Sequence, residues 1–270
     1  MVSVMFISYA IVLHSVVPVR SQPDEAAEQE TQLLFGETCK IEKEESGWYY
    51  IRNDYDGQVG WVDNSMVTKM SEKEYKEYTS SNLDAIVKMP MAYAVSESNG
   101  QTFPLTAGTH LCNYKDGSFE VLGSKFVIDP QMVAEKPLEL TKTNFMEVTR
   151  FFLNIPYLWG GKNCMGMDCS GFSSIIMSIF GKKILRNARE QATQGTEVGF
   201  LEEAQCGDLV FFGHKKPGEP TRVTHVGILL SSDTMIHCAG RVKVERVDSN
   251  GIISSETGKY THDLLSIRRF

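Results

Sequence analysis

The sequence lacks the features that mark nucleic-acid binding and metal binding. Its formal net charge of -7 excludes the broad basic surface with which proteins neutralise phosphates, so no nucleic-acid partner is expected. Six cysteines are present, but none form a CxxC pair or the Cys/His spacing of a zinc site, so no metal or other cofactor is predicted. With 42% hydrophobic residues in 270, the chain can bury more than one core.

The N-terminal stretch lacks charge. Residues 1–19 contain no Lys, Arg, Asp or Glu, and the run ends at Pro18 and Arg20. The basic start of a secretory signal is missing, and the length only just permits a spanning helix. The abrupt change to polar residues after Arg20 favours a removed segment. Residues 1–22 are therefore predicted to be an export or signal-like segment, with no stable membrane span in the mature protein. The expected location is periplasmic or secreted, with a cytoplasmic location as the alternative.

Short strand-like runs separated by glycines follow between residues 31 and 66, which predicts a small all-β barrel. This stretch resembles a bacterial SH3-like domain at Gly36-Glu37, Gly47-Trp48 and Gly60-Trp61-Val62. Residues 23–70 are assigned to a first SH3-like domain and the looser repeat at 85–136 to a second. Ser71 and Glu74 have the spacing of a capping box, so residues 71–84 are predicted to form a helical linker.

The pattern changes after Pro137. Helical spacing is found at residues 141–154 and 168–180, and the remainder is rich in strands. The predicted strands are 208–212, 226–230, 234–237, 242–244 and 264–267. Helices followed by an antiparallel sheet predict an α+β domain over residues 137–270, with the helices packed on the sheet.

One cysteine stands at the first turn of a predicted helix. Asp168 is the expected cap, and unpaired helix amides would lower the pKa of the Cys169 thiol. His225 and His237 lie on consecutive strands joined by a short turn, so their side chains can form a hydrogen-bond chain. A nucleophilic thiol with an oriented base is the arrangement that covalent catalysis requires. The other cysteines are interpreted as buried apolar fillers, with disulfides as the alternative in an exported protein.

Five blocks of the chain, in order, resemble the NlpC/P60 family of papain-like cell-wall cysteine peptidases. They are Ile155-Pro156-Tyr157-Leu158-Trp159-Gly160-Gly161, Gly166-Met167-Asp168-Cys169-Ser170-Gly171-Phe172, Gly207-Asp208-Leu209-Val210-Phe211-Phe212, Thr224-His225-Val226-Gly227-Ile228 and Met235-Ile236-His237. The resemblance implies that Cys169 is the nucleophile, His225 its base, and His237 the residue that orients the base.

The same resemblance implies roles around the nucleophile. Tyr157 would bind the substrate or the oxyanion together with the backbone amide of Cys169. Asp168 and Ser170 would flank the pocket and contact the peptide portion of the substrate. The segment 185–191 also resembles a family segment, but Asn187 stands where the family often has Asp, so no catalytic role is assigned to it.

Two SH3-like domains before such a domain are similar to the dipeptidyl-peptidase VI group. That similarity implies hydrolysis of the γ-D-glutamyl to L-diamino acid bond in peptidoglycan-derived peptides with a free N-terminal L-Ala. The diamino acid, lysine or diaminopimelate, is left open. Glu37 and Tyr55 are the candidates for binding the substrate amine. A cell-wall amidase or acyltransferase with the same thiol, and a non-catalytic wall-binding protein, are the alternatives.

Overall fold

The computed structural model describes residues 8–214 and 222–270. The chain divides into two compact units, Met1–Pro137 and Leu138–Phe270. The first is rich in β-structure, and the second combines helices with a sheet, so the protein is of mixed α+β class. Within the described ranges, no helix has the length and apolar character needed to cross a bilayer.

The first unit begins with a seven-stranded antiparallel sheet. Its strands are β1 Ser8–Ile11, β2 Val16–Arg20, β3 Gln29–Leu34, β4 Thr38–Glu45, β5 Trp48–Asn53, β6 Val59–Asp63 and β7 Thr68–Met70. They are ordered β3-β2-β6-β5-β4-β1-β7. Gly60 is required where β6 meets β2, because a Cβ atom there would lie 2.5 Å from Val19 and 2.8 Å from the Arg20 carbonyl oxygen.

The predicted boundary between an export segment and the first SH3-like domain is wrong for the described residues. Strand β1 pairs with β4 and β7, and β2 pairs with β3 and β6. Five apolar side chains of this stretch are fully buried, namely those of Ala10, Ile11, Val12, Val17 and Val19. The low charge of this stretch is therefore explained by burial in the sheet, which begins at Ser8 rather than at residue 23. Residues 1–7 lie outside the described residues, and export stays a prediction.

The rest of the first unit packs onto this sheet. Its elements are α1 Glu72–Thr79, β8 Ile86–Val87, β9 Met91–Ser96, β10 Thr102–Thr106, β11 Ser118–Val121, β12 Ser124–Ile128 and β13 Val133–Ala134. The capping box of Ser71 and Glu74 is confirmed. Strands β10-β9-β12-β11 form one sheet, and β8 pairs with β13. The Phe35 ring lies 6.4 Å from Phe119 and 5.7 Å from Phe126, so both sheets share a core. A second SH3-like barrel stays a prediction.

The second unit confirms the predicted α+β organisation. Its elements are α2 Lys142–Thr149, β14 Lys162–Asn163, β15 Gly166–Met167, α3 Cys169–Ile179, α4 Ala188–Gln191, β16 Thr196–Glu197, β17 Leu209–Gly213, β18 Val223–Ser231, β19 Thr234–Ala239, β20 Arg241–Val247, β21 Gly251–Ile253 and β22 Tyr260–Arg269. The large sheet runs β16-β22-β17-β18-β19-β20-β21. Because β21 also pairs with β22, six of these strands close into a barrel. The sequence did not predict this closure.

Helix α3 runs through the core of the second unit. The apolar spacing of the sequence predicted a helix over residues 168–180. In the structure all eleven residues of α3 are buried, including its serines. Ser173 donates a hydrogen bond to Gln191 Oε1 at 2.9 Å, and Ser178 to the Ile175 carbonyl oxygen at 2.8 Å. A helix buried on all sides holds its first residue, Cys169, in a fixed position.

Candidate active site

Asp168 starts helix α3 as predicted. Its Oδ1 accepts a hydrogen bond from the Gly171 amide at 2.6 Å, which caps the helix. Its Oδ2 accepts from the Gly160 amide at 2.9 Å, which fixes the preceding loop. Gly171 lies so close to the Gly161 carbonyl oxygen that a Cβ atom would approach it to 2.2 Å. The glycines of the two blocks therefore allow the loop to pack directly on the nucleophile turn.

Sequence reasoning missed Arg186, which belongs to the segment given no catalytic role. Its side chain is 1% exposed and donates to both carboxylate oxygens of Asp168, at 3.0 and 2.7 Å. It also donates to Ser170 Oγ at 2.9 Å. Gln191 donates to the Ser170 carbonyl oxygen at 3.1 Å. This segment therefore supports the start of α3. Both the Asp168 and the Ser170 side chains are bound by Arg186. The substrate contacts predicted for these two residues stay predictions.

Cys169 is 8% exposed, and its surroundings favour the neutral thiol. Burial, followed by the Asp168 carboxylate, raises the pKa of Cys169 to about 11. Hydrogen bonds from the Val226 and Ser170 amides and the charge of Arg186 oppose this rise without reversing it. The amide at the helix start therefore acts in the expected direction, but burial outweighs it, and the expected net lowering of this pKa is not found. The thiol must lose its proton to a base during the reaction.

His225 and His237 form the predicted hydrogen-bonded pair. They lie on the neighbouring antiparallel strands β18 and β19, and His225 Nε2 is 2.7 Å from His237 Nδ1. Burial lowers the pKa of both imidazoles, and for His225 the neighbouring His237 and His262 lower it further. Both rings are therefore neutral at neutral pH. The Val226 amide, which directly follows His225, faces the Cys169 sulfur, so strand β18 passes beside the nucleophile.

Glu245 extends this pair, and sequence reasoning missed it. Its Oε2 lies 2.9 Å from His237 Nε2, and its side chain is 2% exposed. A signal was available in the sequence. Residues 239–241 form a tight turn at Gly240, which places Lys243 opposite His237 and turns Glu245 to the same face of the sheet.

Tyr157 lies beside the nucleophile as predicted. Burial, followed by the Cys169 and Asp168 charges, raises the pKa of its phenol, so the hydroxyl remains a hydrogen-bond donor. Its amide donates to the Gly240 carbonyl oxygen at 2.8 Å, which ties it to the turn after β19. The His262 ring, which the sequence did not single out, lies 5.1 Å from the His225 ring.

Glu37 and Tyr55 lie in the first unit and are linked through one residue. Glu37 Oε2 accepts from Asn53 Nδ2 at 3.2 Å, and the Tyr55 amide donates to Asn53 Oδ1 at 3.1 Å. Glu37 lies in the turn between β3 and β4 and Tyr55 in the turn between β5 and β6, and Asn53 links the two turns. The other predicted site residues come together in the second unit. Among the described residues, no three His, Cys, Asp or Glu side chains are arranged to hold a metal ion.

Two family models match the chain. Residues 154–261 match the NlpC/P60 family, and residues 19–67 match the bacterial dipeptidyl-peptidase Sh3 domain. The chain is 29% identical to the gamma-D-glutamyl-L-lysine dipeptidyl-peptidase of Bacillus subtilis (strain 168), over 89% of this chain and 80% of the relative. It is 26% identical to dipeptidyl-peptidase 6 of Lysinibacillus sphaericus, over 85% of this chain and 87% of the relative.

A crystal structure of an NlpC/P60 family protein from Bacillus cereus ATCC 10987 has the same fold. It superposes with a TM-score of 0.80 at 22% identity, covering 97% of this chain and 99% of the other. The match extends over both units, so the order of modules is shared as well as the fold of each.

Proposed function

Because the chain belongs to the NlpC/P60 family of cysteine peptidases and acts in the hydrolysis of cell-wall peptides, we propose one specific bond as its target. This bond is the γ-D-glutamyl to L-diamino acid bond of peptidoglycan stem peptides with a free N-terminal L-Ala. The observation that carries this proposal is the similarity to two dipeptidyl-peptidases across both units rather than in the catalytic unit alone. An SH3 domain of the dipeptidyl-peptidase type preceding the catalytic unit supports the same substrate class.

Cys169 acts as the nucleophile and His225 as the base in this proposal. The thiol proton moves to His225 as the sulfur attacks the γ-carbonyl carbon of D-Glu, and the amide of Cys169 and the Tyr157 hydroxyl donate to the oxyanion. His225 then returns the proton to the amine of the diamino acid, which leaves. Water, deprotonated by His225, hydrolyses the thioester and releases L-Ala-D-Glu with the thiol restored.

The neutral Cys169 thiol and the neutral His225 imidazole are the forms that this order of reaction steps requires. A buried thiol with a pKa of about 11 and a buried imidazole with a lowered pKa favour Cys–SH and neutral His over an ion pair. Proton transfer then accompanies the attack, and the developing charges are stabilised by donors that are already in place. Ionisation before substrate binding is not needed.

Glu37 and Tyr55 are proposed to bind the ammonium group of the substrate. A carboxylate and a phenol in two turns that are linked through Asn53 offer the acceptors that an ammonium group requires. This contact would restrict cleavage to peptides with a free amino end.

The test uses L-Ala-γ-D-Glu-L-Lys, the meso-diaminopimelate analogue, and N-acetylated forms of both, with products identified by mass. Release of L-Ala-D-Glu from the unblocked peptides is expected, with loss of release in Cys169→Ala and full activity in the matched control Cys206→Ala. An exchanged acyl group would instead indicate the acyltransferase alternative, and release of a sugar from the N-acetylmuramoyl form of the same peptide would indicate the amidase alternative. Activity in Cys169→Ala would overturn the assignment.

Acetylation tests the amine contact separately. Blocking the amine, or the change Glu37→Gln, is expected to raise KM, and the two effects should not add. Glu44→Gln, an exposed carboxylate of the same sheet paired with Lys69, is the control. Equal cleavage of blocked and unblocked peptides would remove the amine contact and leave the peptidase assignment intact.

A further inference from the structure

Both ring nitrogens of His237 have a buried partner. Nδ1 lies 2.7 Å from His225 Nε2, and Nε2 lies 2.9 Å from Glu245 Oε2. The three residues are 6%, 1% and 4% exposed in the order His225, His237, Glu245. In a row of this kind, the proton positions are coupled, because each neutral imidazole donates from one nitrogen and accepts at the other.

The Glu245 end of the row is an anion. Its Oε1 accepts from the Ser255 amide at 2.9 Å, from Ser255 Oγ at 3.0 Å and from Lys243 Nζ at 3.0 Å. Burial raises the pKa of this carboxyl, but the hydrogen bonds from His237, the Ser255 amide and Lys243 outweigh it and hold the pKa below its usual range. An ionised carboxylate only accepts hydrogen bonds, so the proton shared with His237 sits on Nε2.

The remaining proton positions follow from that one. Neutral His237 with its proton on Nε2 has a lone pair on Nδ1, so His225 must donate from Nε2. Neutral His225 then has no proton on Nδ1, which leaves this atom able to take the Cys169 proton. The tautomer of the base is therefore decided two residues away from it.

We propose that Glu245 is a positioning residue that sets the tautomers of His237 and His225 and thereby makes Nδ1 of His225 the catalytic base. This inference rests on the proposed function, since it concerns how the same thiol is deprotonated. Glu245 acts through His237 and does not touch the substrate.

The proton balance is closed at every step. The Cys169 proton moves to Nδ1 of His225, and the imidazolium formed keeps its Nε2 proton in the bond to His237. The positive charge is then stabilised through His237 by the negative charge of Glu245. Transfer of the Nδ1 proton to the leaving amine restores the starting tautomers, and water is the one further reactant.

The change Glu245→Gln is a sharp test because the structure fixes how the amide must lie. Three donors surround the Oε1 position, so the amide oxygen must occupy it and the NH2 group must face His237 Nε2. The glutamine then donates where the glutamate accepted, so both tautomers reverse. Nδ1 of His225 carries a proton, and the base is lost.

Side-chain ¹⁵N–¹H correlation spectra of the full chain with ¹⁵N-labelled histidine read the tautomers directly. The wild-type spectrum is expected to show Nε2–H forms of both His225 and His237, and Glu245→Gln the Nδ1–H forms. In peptide hydrolysis kcat should fall by about 10²- to 10⁴-fold with KM nearly unchanged. Glu256→Gln, an exposed carboxylate that pairs with the same Lys243, is the matched control and should retain full activity.

Nδ1–H forms in the wild-type spectrum would overturn the proposal, and this result needs no variant to fold. Unchanged tautomers and a kcat within about threefold of wild type in Glu245→Gln would overturn it as well. If the wild-type protein cleaved no wall peptide yet showed the expected tautomers and their reversal, the proposed substrate would fail while the role of Glu245 in the histidine pair would stand.

Discussion

Two buried carboxylates flank the nucleophile and its base, and they hold different kinds of group. Asp168, on the helix side, is paired with the guanidinium of Arg186 at 2.7 Å. Glu245, on the strand side, is paired with the imidazole of His237 at 2.9 Å. Arginine keeps its charge at any physiological pH, whereas an imidazole can gain or lose a proton. The helix side is thus built from charges that stay constant, and the strand side from charges that can change.

The two carboxylates therefore have different roles: Asp168 stabilises the fold around the nucleophile, and Glu245 acts on the catalytic histidines. Asp168 binds the Gly160 and Gly171 amides together with Arg186, so its contacts hold the loop and the start of α3 in place. Glu245 determines where protons lie in the histidine pair. Substitutions on the helix side should therefore reduce the free energy of unfolding, while substitutions on the strand side should act on catalysis and on pH dependence.

The largest effect on stability is expected for Arg186→Met. The change leaves the Asp168 carboxylate buried without its cation, and breaking a buried ion pair from one side costs about 3–5 kcal/mol. Urea unfolding of the full chain measures the loss. Arg241→Met is the matched control, because its ion pair with Glu256 is 3.6 Å long and about half exposed, so a change within about 1 kcal/mol is expected. Equal effects of the two substitutions would contradict the comparison.

A second predicted effect is a loss of folding stability at low pH that comes from His225 and His237 on the strand side. The pKa values of His225 and His237 are lowered in the folded protein, so below pH 6.5 the unfolded chain binds protons that the folded chain does not. Stability is therefore lost as the pH falls from 6.5 to about 5, by up to about 1.4 kcal/mol per pH unit for each imidazole. The double variant His225→Gln, His237→Gln should show a shallower slope over this range.

The Arg186→Met variant provides the contrast for this slope. It should be less stable than the wild type, and because the buried Asp168 carboxylate without its cation binds a proton more readily as the pH falls, this loss should become smaller toward pH 5. Arg241→Met leaves both Asp168 and the histidine pair intact and should keep the wild-type slope, and a slope that flattened in Arg241→Met as much as in the double histidine variant would contradict the role given to the histidines.

Local patterns explain what the sequence predicted well. The Asp168 cap, the capping box of Ser71 and Glu74, and the pairing of His225 with His237 each depend on residues close in the chain, where spacing determines geometry. Arg186 could not be placed this way, because its pairing with Asp168 requires the segment after α3 to fold back. The closure of the barrel likewise depends on β22 returning to β21.

The N-terminal strands show a different limit. An uncharged apolar run with a proline near its end fits an export segment and a pair of buried strands equally well, because both exclude water from the same side chains. Pro18 lies within β2, at a position paired with Gln32. Nothing in the run itself distinguishes the two cases, and only the pairing of β1 with β4 and β7 reveals the strands.

The smallest predicted effect tests how firmly Glu245 is held. Ser255→Ala removes the hydroxyl that donates to Glu245 Oε1 at 3.0 Å but keeps the amide donor at 2.9 Å and the Lys243 contact. The carboxylate should remain ionised, so the tautomers should stay as in the wild type and kcat should fall by no more than about fivefold, equivalent to about 1 kcal/mol. Ser231→Ala, which removes an exposed hydroxyl bonded to Asp233, is the control and should leave kcat unchanged. A loss in Ser255→Ala as large as in Glu245→Gln would mean that the position of the carboxylate, rather than its charge, controls the base.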